Sequence, residues 1–117
     1  MKVKRIVPNI ETADPAAVAR FYNDVLGLEL LMDHGWLATY GTDGTMPLQV
    51  SFASEGGSGA PVPRLSIEVD DVETAHAAVL RGGYPVVYGP VDEPWGVRRF
   101  FVRDPAGTLV NILMHTR

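Results

Sequence analysis

The side chains of this sequence best placed to do chemistry are charged and amide groups that alternate along four strand-like segments. Counting every second position, Arg5, Val7 and Asn9 share one face of the first segment, and Gln49 and Ser51 share a face of another. Arg64, Ser66 and Glu68 do so in a third, and Leu109, Asn111 and Leu113 in the last. Guanidinium forks at Arg5 and Arg64 suit a ligand carboxylate, phenolate or enolate, and suit equally an internal ion pair with Glu68. Glu68 is also the one candidate general base, a role that burial favours and a neighbouring guanidinium opposes. The three histidines, His34, His76 and His115, stand at no ligand spacing, and the absence of Cys removes thiolates, disulfides and Cys-based metal sites together.

Aromatic residues supply the second set of candidates. Trp36 and Tyr40 follow His34 in a short hairpin-like stretch, where they could meet a ligand at a pocket rim or simply fill the core. Around the loop that precedes the strand at 97–102, the stretch from Val91 to Arg99 joins Trp95 to two carboxylates and to Arg98 and Arg99. Such a loop serves recognition, or else Trp95 plugs a gap and the charges are solvated.

The elements that must position these groups follow from periodicity. Val3 to Ile10 alternates as a half-buried strand, with Ile6, Pro8 and Ile10 opposite the polar set. Asp14 and Pro15 open a helix whose apolar positions are Val18, Phe21, Tyr22 and Val25, and Gly27 ends it. Strands are expected over 28–32, 36–40 and 47–53, with a turn at Gly41-Thr42-Asp43-Gly44. Ser54 to Pro61 is Gly- and Ser-rich and reads as a linker, too poor in Lys and in helix to cradle phosphate. Beyond it a strand over 62–69, a helix capped by Asp71 and closed by Gly82-Gly83, and strands over 86–88, 97–102 and 108–114 repeat the first half, with Asp104-Pro105-Ala106-Gly107 turning the last pair. The chain is therefore expected to be an α+β domain, 1–117, of two βαβββ modules (1–54 and 62–117, linker 55–61) around a shared cavity.

Three stretches, Phe21-Tyr22-Asn23-Asp24-Val25-Leu26-Gly27-Leu28, Glu68-Val69-Asp70-Asp71-Val72 and Asp104-Pro105-Ala106-Gly107, resemble the vicinal oxygen chelate superfamily. That group includes glyoxalase I, extradiol dioxygenases, fosfomycin-resistance transferases and bleomycin resistance proteins. In its metal-using members, ligands come from the first and last strands of each module. Carried over by motif, those places fall on Arg5, Gln49, Arg64 and Asn111, which are two guanidiniums and two amides. Guanidiniums have no lone pair to give, and a neutral amide oxygen binds divalent cations weakly. The resemblance therefore implies a metal-free member of the bleomycin-resistance type, with no cofactor and no catalytic residue.

The function expected is capture of an aromatic or anionic small molecule such as an antibiotic, conferring drug resistance. The alternative is a lyase, isomerase or dioxygenase of this superfamily acting on a small metabolite. The ligand is expected to meet Arg5, Asn9, Trp36, Tyr40, Gln49, Arg64, Glu68, Trp95, Arg98, Arg99 and Asn111. Family members usually form dimers, with modules paired within or across chains, so a homodimer is expected. A net charge of −4 argues against a nucleic-acid partner. No apolar run approaches the roughly 18 residues of a membrane span, so a cytoplasmic protein without a membrane partner is expected.

Overall fold

A computed structural model describes residues 1–42, 44 and 47–116, and Asp43 of the expected Gly41 to Gly44 turn lies outside them. The chain divides into two units, one comprising Val7–Val62 and the other joining Met1–Ile6 to the chain from Pro63 onward.

Strand β1 spans Val3–Glu11, and its part in the first unit, from Val7 onward, lies parallel to β4 (Gln49–Ala53), which is antiparallel to β3 (Leu37–Gly41), itself antiparallel to β2 (Glu29–Asp33). Register sets the two faces. Ala38 lies opposite Phe52 and Tyr40 opposite Val50, and these four pack against Val18, Ala19, Tyr22 and Leu28. Thr39 lies opposite Ser51, and Ser51 opposite Asn9, so the other face is polar.

Two expectations are corrected here. The Pro15 to Val25 segment is a 3-10 turn (Pro15–Val18) followed by a π-type turn (Arg20–Val25). Asp14 makes no side-chain cap, and bonds such as Leu26 N to Phe21 O widen the turn beyond the α-helical register. The apolar stripe is split as a result: Tyr22 reaches the core while Phe21 and Val25 are exposed. The second correction concerns β1. Its alternation is real, but Val7 is the buried residue, and Ile6 and Ile10 face outward. The short helical turns lie over β3 and β4 and leave Ile10 uncovered.

In the second unit, β5 (Leu65–Val69) lies parallel to β8 (Leu109–His115), followed by antiparallel β7 (Val97–Arg103) and β6 (Val86–Glu93). Helix α1 (Val72–Arg81) is closed at its start by Asp71, whose Oδ1 accepts from Glu73 N and Thr74 N at 3.0 and 3.2 Å. It ends at Gly82 and at Gly83, whose φ of 77° favours glycine. Val72 and Ala75 drive its face into Val69, Phe100, Val102 and Val110. β6 extends well past the expected Tyr88: it runs through Gly89-Pro90, with a register shift there, to Glu93. The loop expected between the strands at 88 and 97 is thus a hairpin turned at Pro94-Trp95-Gly96, where Gly96 takes φ 90°.

The hydrogen-bonded order is β2-β3-β4-β1 in the first unit and β5-β8-β7-β6 in the second, each mixing parallel and antiparallel pairs, and with the helices the fold is α+β. Among the described residues, no helix is long and apolar enough to cross a membrane.

Candidate functional site

The second unit's sheet has one face covered by α1 and one polar face, and strand parity decides which side chains lie on each. Leu65, Ile67 and Val69 alternate with Ser66 and Glu68, and the first set packs toward α1. Ser66 is paired with Asn111, Asn111 with Phe101 and Phe101 with Tyr88, so these four form a row across β5, β8, β7 and β6. The next row holds Glu68, Leu113 and Arg99.

Arg5 joins this face from β1: its Nε donates to Glu68 Oε1 at 2.5 Å. Glu68 is 9% exposed, and its Oε2 lies 3.9 Å from Lys4 Nζ and 3.8 Å from His115 Nε2. Neither Lys4 nor His115 was among the site residues expected from the sequence. His115 keeps the parity of Asn111 and Leu113, whereas Lys4 has the opposite parity from Arg5, so period two alone did not place it beside Glu68. Asn111 Nδ2 donates to Ser66 Oγ at 3.1 Å, and Asn111 Oδ1 is buried with no hydrogen-bond partner among the described residues.

Arg99 also belongs to this face and is 3% exposed. Its Nη2 lies 2.5 Å from Glu93 Oε2, and Tyr88 Oη donates to the same oxygen at 3.0 Å. The guanidinium carbon stands 4.8 to 5.3 Å from the ring centres of Phe101, Trp95 and Tyr88. The Glu93 and Tyr88 contributions follow from a hairpin register that a strand ending at Tyr88 conceals.

The other expected site residues separate from these. Arg98 lies on the opposite face, paired with Glu73 of α1 and with Asp92 at 3.2 Å. Arg64 is exposed just before β5. In the first unit, Asn9 and Gln49 share the polar face with Thr39 and Ser51, whose hydroxyls meet at 2.7 Å. Tyr40 is 2% exposed on the opposite face, packed on Tyr22 and Phe52. Trp36 is half-buried ahead of β3 and stacks on His34 at 5.7 Å.

These donors do not suit a divalent cation. Arg5 and Arg64 offer no lone pair, Asn111 offers one neutral oxygen, and the Glu68 carboxylate is held by Arg5. Among the described residues, no group of three or more His, Cys, Asp or Glu is placed to hold a metal ion.

Solved structures share this fold. A NAD-dependent benzaldehyde dehydrogenase from Legionella pneumophila superposes with TM-score 0.77 at 16% identity, covering 95% of this chain and 99% of that one. A Streptomyces coelicolor methylmalonyl-CoA epimerase in complex with 2-nitronate-propionyl-CoA gives 0.70 at 20% identity, covering 97% and 96%. A glyoxalase/bleomycin resistance protein/dioxygenase superfamily member from Vibrio splendidus 12B01 gives 0.65 at 20%, covering 97% and 99%. No curated protein matches the chain in sequence. Residues 6–112 match the sequence model of the Glyoxalase/Bleomycin resistance protein/Dioxygenase superfamily, and the chain belongs to that superfamily.

Proposed function

We propose that this protein is a metal-independent small-molecule-binding member of the superfamily, of the bleomycin-resistance type. It captures an aromatic or anionic compound, such as an antibiotic, on the polar strand faces. The observation that carries this reading is the Arg5–Glu68 pair at 2.5 Å. A carboxylate closed on a guanidinium has an oxygen engaged that a metal would otherwise take, so the face offers recognition in place of metal chemistry. Lys4, Arg5 and Arg99 stand against the carboxylates Glu68 and Glu93, a surplus of one positive charge that favours an anionic ligand. Trp95 and Trp36 supply flat surfaces for an aromatic one. A homodimer and a cytoplasmic location complete the proposal.

The test is to purify the protein, measure its metal content, and titrate it with bleomycin in the presence of EDTA while following Trp fluorescence. Stoichiometric quenching by metal-free protein supports capture. One tightly held divalent ion per chain defeats it. The second reading, a superfamily enzyme acting on a small metabolite, is favoured by the likeness to methylmalonyl-CoA epimerase. Incorporation of deuterium from D2O into methylmalonyl-CoA at the carbon between its carbonyls supports that reading instead.

A further inference from the structure

Asn111 is the residue whose chemistry the fold leaves unfinished. It sits in the Tyr88, Phe101, Asn111 and Ser66 row of the polar face and is 7% exposed. In the amide orientation of the structure, its Nδ2 donates to Ser66 Oγ at 3.1 Å. Oδ1, with two lone pairs, is buried and has no partner among the described residues. Buried acceptors in folded proteins are nearly always bonded, and an exception at a ligand-facing position marks a group that something else completes.

What completes it is decided by charge. A metal ion needs more than one neutral oxygen, and the nearby carboxylate of the face, Glu68, is already bonded to Arg5. A ligand acceptor has nothing to gain from Oδ1. A neutral N–H or O–H donor fits.

We propose that Asn111 is a specificity-determining acceptor: the molecule held on this face presents an amide N–H or a hydroxyl to Asn111 Oδ1. The inference rests on the reading that the face binds a small molecule, and it narrows that molecule to the donor-bearing class. A site with an unpaired buried acceptor discriminates steeply against an analogue that lacks the donor, because that analogue buries the oxygen without bonding it.

The test uses two probes of matched shape, 4-hydroxybenzamide and its fully capped twin 4-methoxy-N,N-dimethylbenzamide, titrated into 15N-labelled protein with the Asn111 side-chain amide signals followed. The donor-bearing probe is expected to bind at least tenfold more tightly and to shift those signals. Asn111→Leu should erase the tenfold gap, and Asn111→Asp, which keeps an acceptor, should retain it. Equal affinity of the two probes for the wild type, or a gap that survives in Asn111→Leu, overturns the inference while leaving the binding reading intact. Failure of both probes to bind at millimolar concentration overturns both.

Discussion

Arg99 Nη2 lies 2.5 Å from Glu93 Oε2 across the β6–β7 hairpin, and both side chains are 4% exposed. Three aromatic rings surround the guanidinium, and Tyr88 Oη donates to the same carboxylate oxygen. A cation desolvated to this degree depends on its counter-ion, so removing one partner is worse than removing both. Glu93→Ala is expected to lower the unfolding free energy by about 3 to 5 kcal/mol in urea titrations. The double change Glu93→Leu with Arg99→Met should recover most of that loss. A single-variant cost near that of a surface pair would mean the guanidinium is hydrated in solution.

Tyr40 gives the fold an alkaline limit. Burial pushes its hydroxyl above the ordinary 10.0, and the carboxylates of Asp33 and Asp24 push in the same direction. The folded state therefore resists tyrosinate more than the unfolded chain does. Its contribution is intact below pH 10.0 and is lost as pH climbs through the higher folded value. Melting curves from pH 8 to 11.5 should show a fall at the alkaline end that Tyr40→Phe flattens.

The polar face was legible in the sequence because strand side chains alternate with period two, and Ser66, Glu68 and Asn111 keep that period without interruption. Helix α1 was legible for a local reason: Asp71 and the Gly82-Gly83 pair act within one turn of its ends. Tertiary context decided the rest. Phe21 and Val25 have helical spacing, yet the π-type turn rotates them away from the core. Pro90 reads as a strand breaker, yet β6 passes through it with a register shift, which is why the Glu93–Arg99 pairing was hidden. For Tyr40, spacing alone did not reveal which face of β3 is polar, and only its pairing with Val50 assigns it to the core.

Asp71 sets the acid limit of α1. Hydrogen bonds from the Thr74 hydroxyl, and then from the backbone of Thr74 and Glu73, hold its carboxyl below the ordinary 3.8. Its contribution is present above pH 3.8 and is lost as pH falls through the lower folded value. Amide protection across Val72 to Arg81, corrected for intrinsic exchange rates, should fall below pH 3.8 in the wild type. Asp71→Asn keeps a capping oxygen but has nothing to protonate, so its exchange, after correction for intrinsic rates, should lose that step.

The Glu68 cluster should depend on salt in a way that the Arg99 pair does not. Glu68 has a side chain only 12% exposed, whereas its partners Arg5 and Lys4 are 32% and 57% exposed. Glu68→Gln keeps the shape and removes the charge, leaving two cations near each other without the carboxylate between them. The cost is expected to be about 1 to 3 kcal/mol at low ionic strength, above a surface pair and below a fully buried one. Because the cations are partly hydrated, their repulsion is screened once the Debye length falls to a few ångströms. Urea unfolding in about 0.5 M NaCl should therefore narrow the gap between Glu68→Gln and wild type, while the gap for Glu93→Ala stays as it was. Equal salt responses in the two variants would place Glu68 in the same dry environment as Glu93, and the polar face would then have no water-exposed charge with which to meet a ligand.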